Sequence, residues 1–209
     1  MNKVVTLLID DKEIKAKEGT TILEAAKHAG VEIPTLCYYE GLEPYGACRF
    51  CSVEIEKGGR AKVVASCCYL VEEGLNVKTK SPKIAKMRKT IIELAAVRAG
   101  EDLSGKIMAL ASEYNADLSR FRLKKPALEK KCILCGLCVR RCAEANWESA
   151  IGFIGRGTNR RIALFPMPAA GLCSSCHYCS DVCPTGRITT GSGPHPPFPR
   201  VDDVIAGRE

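Results

Sequence analysis

The 209-residue chain has no apolar run approaching the ~18 residues that a membrane-spanning helix needs, so no membrane span is expected. Its beginning is equally poor in apolar length. Val4 to Ile9 is followed at once by Asp10 and Asp11, which is not the pattern of a secretory leader. No Gly-rich phosphate-binding fingerprint, nucleophile–histidine signature or flavin motif occurs, so no catalytic residues are expected. Residues 69–131 contain neither His nor Cys. Elsewhere cysteine is abundant: there are thirteen, an odd number that fits poorly with complete internal disulfide pairing. In a reducing compartment so many thiols read as metal ligands, and a cytoplasmic location is expected. The length gives room for two small modules, and a hydrophobic content of 46% makes them globular.

The first module opens with Val4-Val5-Thr6-Leu7-Leu8-Ile9, a β-branched strand. Asp10-Asp11-Lys12 suits a tight turn, and Glu13-Ile14-Lys15-Ala16 returns with alternating polarity. A helix follows: Thr21 and Glu24 have capping-box spacing, Ile22, Leu23, Ala25 and Ala26 form its apolar face, and Gly30 fits the position after its end. Pro34 blocks continuation. This order predicts a small sheet with a helix across it. The cysteines begin where the helix ends. Cys37 is followed after ten residues by Cys48, after two more by Cys51, and after another fifteen by Cys67. Three ligands from one loop and a fourth from a later segment suit a [2Fe–2S] rhomb, which needs four thiolates on two irons. Gly41 and Gly46 let the loop wrap closely, with peptide N–H groups aimed at sulfur. A zinc ribbon would want two C-x2-C pairs, and only Cys48/Cys51 forms one.

The residues Thr21 to Ala26, Ile33-Pro34-Thr35-Leu36-Cys37, Gly46-Ala47-Cys48-Arg49-Phe50-Cys51 and Ser66-Cys67 resemble a known family. It comprises the N-terminal part of the large iron–sulfur subunit of respiratory complex I, the diaphorase-side small subunit of NAD-linked [NiFe]-hydrogenases, and the N-terminus of [FeFe]-hydrogenases. The resemblance implies a β-grasp ferredoxin fold. Between Cys67 and Cys68 it favours Cys67 as fourth ligand, because family members place a Ser or Ala before that cysteine and a Gly seven residues after it, here Gly74. Cys68 is then expected to be a buried spare.

In the middle, Ser81-Pro82 starts a helix. Its expected apolar face is Ile84, Met87, Ile91, Leu94 and Ala95, with Lys83, Lys86, Arg88 and Lys89 mostly on other faces. A second helix is expected from about Leu103 to Tyr114. Relatives in the family carry a further [4Fe–4S] cluster here on one His and three Cys, and residues 69–131 have neither residue type.

The second module carries the most specific signal. Cys132, Cys135, Cys138 and Cys142 follow C-x2-C-x2-C-x3-C, and Cys173, Cys176, Cys179 and Cys183 repeat it, with Pro184 after the last. This is the two-cluster bacterial ferredoxin spacing, in which each fourth cysteine crosses to the other cluster. Cys132, Cys135, Cys138 and Cys183 are expected to hold one [4Fe–4S]. Cys142, Cys173, Cys176 and Cys179 are expected to hold the other. The strand Arg161 to Phe165 lies in the excursion between the repeats. His177 reads as a surface or supporting residue and Trp147 as packing. Gly191 to Pro199 cannot form a helix or a central strand and is expected to be extended.

The expected fold class is therefore α+β. It comprises a β-grasp [2Fe–2S] ferredoxin domain over 1–80, a helical cysteine-free basic linker over 81–130, a bacterial-type 2[4Fe–4S] ferredoxin-like domain over 131–190 and a Pro-rich extended tail over 191–209. The formal charge of +7 is concentrated in 80–131, with 13 Lys/Arg against 6 Asp/Glu. Twelve thiolates and three oxidised clusters of about +2 each would bring the total near +1, and no nucleic-acid motif accompanies the basic residues, so no nucleic-acid partner is expected. The resemblance implies a non-catalytic electron-transfer subunit of a soluble NAD(P)H-linked oxidoreductase, placed between a flavin/NAD(P)H-binding subunit and a catalytic subunit such as a hydrogenase. The alternatives are an iron–sulfur subunit of another bifurcating or dehydrogenase complex, and a freely diffusing ferredoxin.

Overall fold

Alternating polarity and two hairpin turns organise the N-terminal part of the chain. The computed structural model describes residues 3–100, 103–121, 131–146, 149–165, 176–188 and 198–208. Val4–Ile9 (β1) and Lys12–Lys17 (β2) pair antiparallel, with Val4 opposite Lys17 and Ile9 opposite Lys12. Asp10 and Asp11 both take positive φ, 47° and 65°, the conformation that lets a two-residue turn follow the right-handed twist of its strands. Ile22–His28 (α1) begins with the expected capping box: the Glu24 N–H donates to Thr21 Oγ1 at 3.2 Å, and the Thr21 N–H donates to Glu24 Oε2 at 2.8 Å.

Ser52–Lys57 (β3) and Arg60–Ala65 (β4) form a second antiparallel hairpin around Gly58-Gly59. Asn76–Lys78 (β5) runs parallel to β1 and antiparallel to β3. The resulting five-stranded mixed sheet has the order β2-β1-β5-β3-β4. Its inward residues Val5, Leu7, Ile9, Val53, Ile55 and Val77 pack with Ile22, Leu23, Ala25 and Ala26 of α1. Burying each large aliphatic side chain of this set contributes about 1.5–3 kcal/mol.

The chain divides into two compact units. The first takes the described parts of Met1–Tyr38, Glu43–Ile92 and Tyr114–Ala116; the second takes those of Tyr39–Leu42, Glu93–Glu113 and Asp117–Glu209. Pro82–Ala99 (α2) and Gly105–Glu113 (α3) are the two helices expected in the middle of the chain. Ser81 starts α2, accepting the Ile84 N–H on its Oγ at 3.2 Å. The expected apolar face of α2 is corrected. Its buried positions are Ile84, Arg88, Ile92, Glu93, Ala96 and Ala99, while Leu94 is 51% exposed. Two charged residues lie on the inner stripe because each finds partners there. Arg88 donates to peptide carbonyls, and the Glu93 carboxylate accepts from the Asp117 N–H at 3.1 Å and from Arg120 at 2.8 Å.

In the second unit, Leu137–Asn146 (α4) is followed by Ile151–Ile154 (β6) and Arg161–Leu164 (β7), which pair antiparallel across a 3-10 turn at Gly157–Asn159. Short helices Tyr178–Asp181 (α5) and Val201–Ile205 (α6) complete it. Ile151, Ile162, Leu164, Ile188 and Phe198 form a core that includes Cys132, Cys138 and Cys142. The far end of the expected extended tail departs from expectation: Phe198 is buried in that core, the Pro199 carbonyl accepts the Leu164 N–H at 2.9 Å, and α6 follows. An apolar ring that fills the core, and a carbonyl able to satisfy a strand-edge N–H, outweigh the proline content there. Residues 189–197 lie outside the described residues.

Candidate metal centres

The first cysteine set is assembled by the β3–β4 hairpin. Its register places Ser52 opposite Ala65, so the residues just outside the ladder, Cys51 and Ser66-Cys67, are brought together. Ser66 donates from its N–H (3.3 Å) and its Oγ (2.8 Å) to the Cys51 carbonyl, and the Cys51 and Cys67 sulfurs stand 3.4 Å apart. At the other end of the loop the Cys48 N–H donates to Cys37 Sγ at 3.5 Å, and the Phe50 N–H donates to Cys48 Sγ at 3.4 Å. The four thiols thus stand two and two. Cys37, Cys51 and Cys67 are buried and Cys48 is half-buried.

Within each pair the two thiols are shifted in opposite directions. The hydrogen bond to Cys48, with burial adding to it, raises Cys37 above the usual thiol range, while Cys48 is lowered by the same bond and by the Phe50 N–H. The bond to Cys51, again with burial, raises Cys67, and Cys51 is lowered by that bond. Thiols so close cannot both ionise without a compensating cation, which is what a metal centre supplies.

The donor set fits a binuclear cluster. A [2Fe–2S] rhomb asks for two protein thiolates on each iron, and the pairs supply them. Gly46, at φ +64°, lies against the site; a Cβ there would stand 2.8 Å from Cys68 Sγ.

Cys68 is not the buried spare expected. It is exposed, with its sulfur 3.5 Å from that of Cys67. The chain coils into a turn after β4, with the Cys68 and Tyr69 N–H groups both donating to the Ala65 carbonyl at 3.1 Å, and this turn leaves Cys67 buried and Cys68 exposed.

In the second unit, Cys132, Cys135, Cys138 and Cys183 line one cavity, closed by Ile162 and Phe198. The loop reaches this shape through positive φ at Lys131, Leu134 and Gly136. The cavity therefore gathers the first three cysteines of the first run with the last of the second. Burial, then the neighbouring Cys135, Cys132 and Cys183 thiols, pushes Cys138 well above the usual range. Thr185, which sequence reasoning missed, is buried with its hydroxyl 3.7 Å from Cys183 Sγ. Cys142, one helical turn beyond Cys138 on α4, is buried in the apolar cluster against which Cys179 packs. Cys176 is half-buried just before α5. His177 takes a left-handed backbone at the start of α5, and its carbonyl accepts the Ser180 Oγ–H at 2.6 Å. Cys173 and Trp147 lie outside the described residues.

Four thiols in two close pairs, set beside a mixed sheet with a helix across it, make the first unit a ferredoxin-type domain, and residues 2–82 match the family described as the 2Fe-2S iron-sulfur cluster binding domain. The chain is 35% identical over 204 residues to the NADPH-Fe(3+) oxidoreductase subunit alpha of Geobacter sulfurreducens (88% of this chain, 24% of that protein). It is 31% identical over 206 residues to the NADH-ubiquinone oxidoreductase 75 kDa subunit of Reclinomonas americana (90% and 29%). A chain of the NAD+-reducing [NiFe]-hydrogenase crystal structure in the H2-reduced state aligns at TM-score 0.64 and 30% identity, covering 77% of this chain and 74% of that one. The chain belongs to the same family as this hydrogenase chain, and its residues 2–82 carry the 2Fe-2S cluster binding domain. It spans about a quarter of the length of the curated relatives it matches. No helix among the described residues is long and apolar enough to cross a membrane.

Proposed function

We propose that the chain is a relay subunit of a multisubunit NAD(P)H-linked oxidoreductase, passing single electrons between a flavin/NAD(P)H-binding subunit and a catalytic subunit such as a hydrogenase. Cys37, Cys48, Cys51 and Cys67 would hold a [2Fe–2S] cluster in a β-grasp domain over residues 1–80. Cys132, Cys135, Cys138 and Cys183 would hold one [4Fe–4S], and Cys142, Cys173, Cys176 and Cys179 the other, in a ferredoxin-like domain over 131–190. Residues 81–130 form the linker. Bound there, the clusters supply one-electron redox chemistry.

The observation that carries this reading is the two-and-two pairing of Cys37 with Cys48 and Cys51 with Cys67. The residues themselves do three things: they present thiolates, aim peptide N–H groups at the sulfurs of Cys37 and Cys48, and shield the sites with apolar side chains. Purification from the native host tests the assignment. A relay subunit arrives with a flavin-containing partner, and alone does not oxidise NADH with an artificial acceptor. Turnover by the isolated chain, or its recovery as a free monomer, contradicts the proposal.

A further inference from the structure

Arg88 is 3% exposed. It lies on the inner stripe of α2 between Ile84 and Ile92, both fully buried. Its Nε donates to the Phe50 carbonyl at 3.1 Å and its Nη2 to the Ser52 carbonyl at 3.0 Å. These are the carbonyls of the two residues that flank Cys51 in sequence. Its Nη1 reaches the Tyr114 hydroxyl at 3.4 Å, and its guanidinium carbon stands 5.9 Å from that ring. Tyr114 in turn meets the Phe50 ring edge-on at 5.7 Å. Among the described residues no carboxylate pairs with Arg88. A buried, permanently charged guanidinium without a counter-ion is expensive, and neutral carbonyls repay only part of that cost. The missing negative charge is what a thiolate-bound cluster at Cys51 provides.

From this geometry we infer that Arg88 is a positioning residue that also sets the reduction potential of the [2Fe–2S] site. The inference rests on the reading that Cys37, Cys48, Cys51 and Cys67 hold that cluster. The planar fork grips two carbonyls at once, which fixes the Cys51 backbone against α2. The fixed positive charge favours the state that carries one more electron, because the added negative charge is attracted to a cation that water does not screen. Loss of the charge makes the site harder to reduce.

The experiment is an EPR-monitored redox titration of the full chain, with iron content and thermal unfolding measured on the same preparations. Arg88→Gln removes the charge; Arg88→Lys keeps it but loses the fork. Arg88→Gln is expected to move the [2Fe–2S] reduction equilibrium at least tenfold toward the oxidised form, about 59 mV for one electron. Arg88→Lys is expected to change it less than twofold while lowering the unfolding temperature. A merely structural role would shift both variants equally or neither, and either result overturns the inference. Should Arg88→Gln fail to retain iron, the Lys variant decides, since a tenfold shift with the charge intact is equally contradictory. A wild-type preparation without a [2Fe–2S] signal would overturn the cluster assignment itself, and this inference with it.

Discussion

The sulfur of Cys51 stands 3.4 Å from that of Cys67 because Ser52 and Ala65, their neighbours in sequence or one residue removed, are partners in the β3–β4 ladder. Strand register thus brings a loop ligand to a ligand sixteen residues downstream. The adjacent Cys68 faces solvent. Cys67→Ser is expected to abolish or severely weaken the [2Fe–2S] spectrum and to remove about two irons per chain, whereas Cys68→Ser leaves both unchanged. Visible absorption and iron analysis of the two variants check this. Equal loss in both would contradict the assignment of the inward thiol.

Gly46 constrains the same site in two ways. Its φ of +64° is one that side chains adopt at a cost of about 1–2 kcal/mol, and an added Cβ would lie 2.8 Å from Cys68 Sγ. Gly46→Ala is expected to lower stability by about that amount and to reduce cluster occupancy. Combining it with Cys68→Ala relieves the contact and recovers only part of the loss, because the backbone cost stays. Full recovery in the double variant would show that the contact alone mattered.

The Glu93–Arg120 pair predicts an asymmetry. The Glu93 side chain is fully buried and that of Arg120 half-exposed. Arg120→Ala leaves a buried carboxylate held by the Asp117 N–H, and is expected to cost up to about 3 kcal/mol. Glu93→Gln keeps the shape and one acceptor, while Arg120 can turn to water, so it is expected to cost less. Denaturant unfolding of both variants measures the order, and a larger loss for Glu93→Gln would reverse the argument.

The cap of α1 offers a quantitative check. Thr21→Ala removes the oxygen that accepts the Glu24 N–H and is expected to cost about 1 kcal/mol. The iron content should stay near wild type, since the Thr21 hydroxyl bonds within the cap rather than to a candidate ligand. Loss of iron together with stability would tie the cap to the metal site.

The sequence is most readable where structure is local. β1, the Asp10-Asp11 turn, β2 and the capping box of α1 follow from alternation, turn chemistry and a four-residue signature. Cysteine spacing leads to the residues found around the cavity at Cys132, Cys135, Cys138 and Cys183. Reading fails where a tertiary partner changes the meaning of a side chain. Arg88 and Glu93 look like surface charges in a helix, yet carbonyls and an arginine distant in sequence make burial tolerable. For Arg88 the only local clue is its spacing of four residues from both Ile84 and Ile92. Phe198 is hidden among prolines, and the exposure of Cys68 goes with a turn closed on a carbonyl of β4.

The most direct measurement is iron and acid-labile sulfide per chain in anaerobically prepared protein, read together with EPR of the reduced form. One [2Fe–2S] and two [4Fe–4S] clusters predict about ten of each and three distinguishable signals. Protein that holds no iron, or holds it in fewer than three centres, would contradict the account.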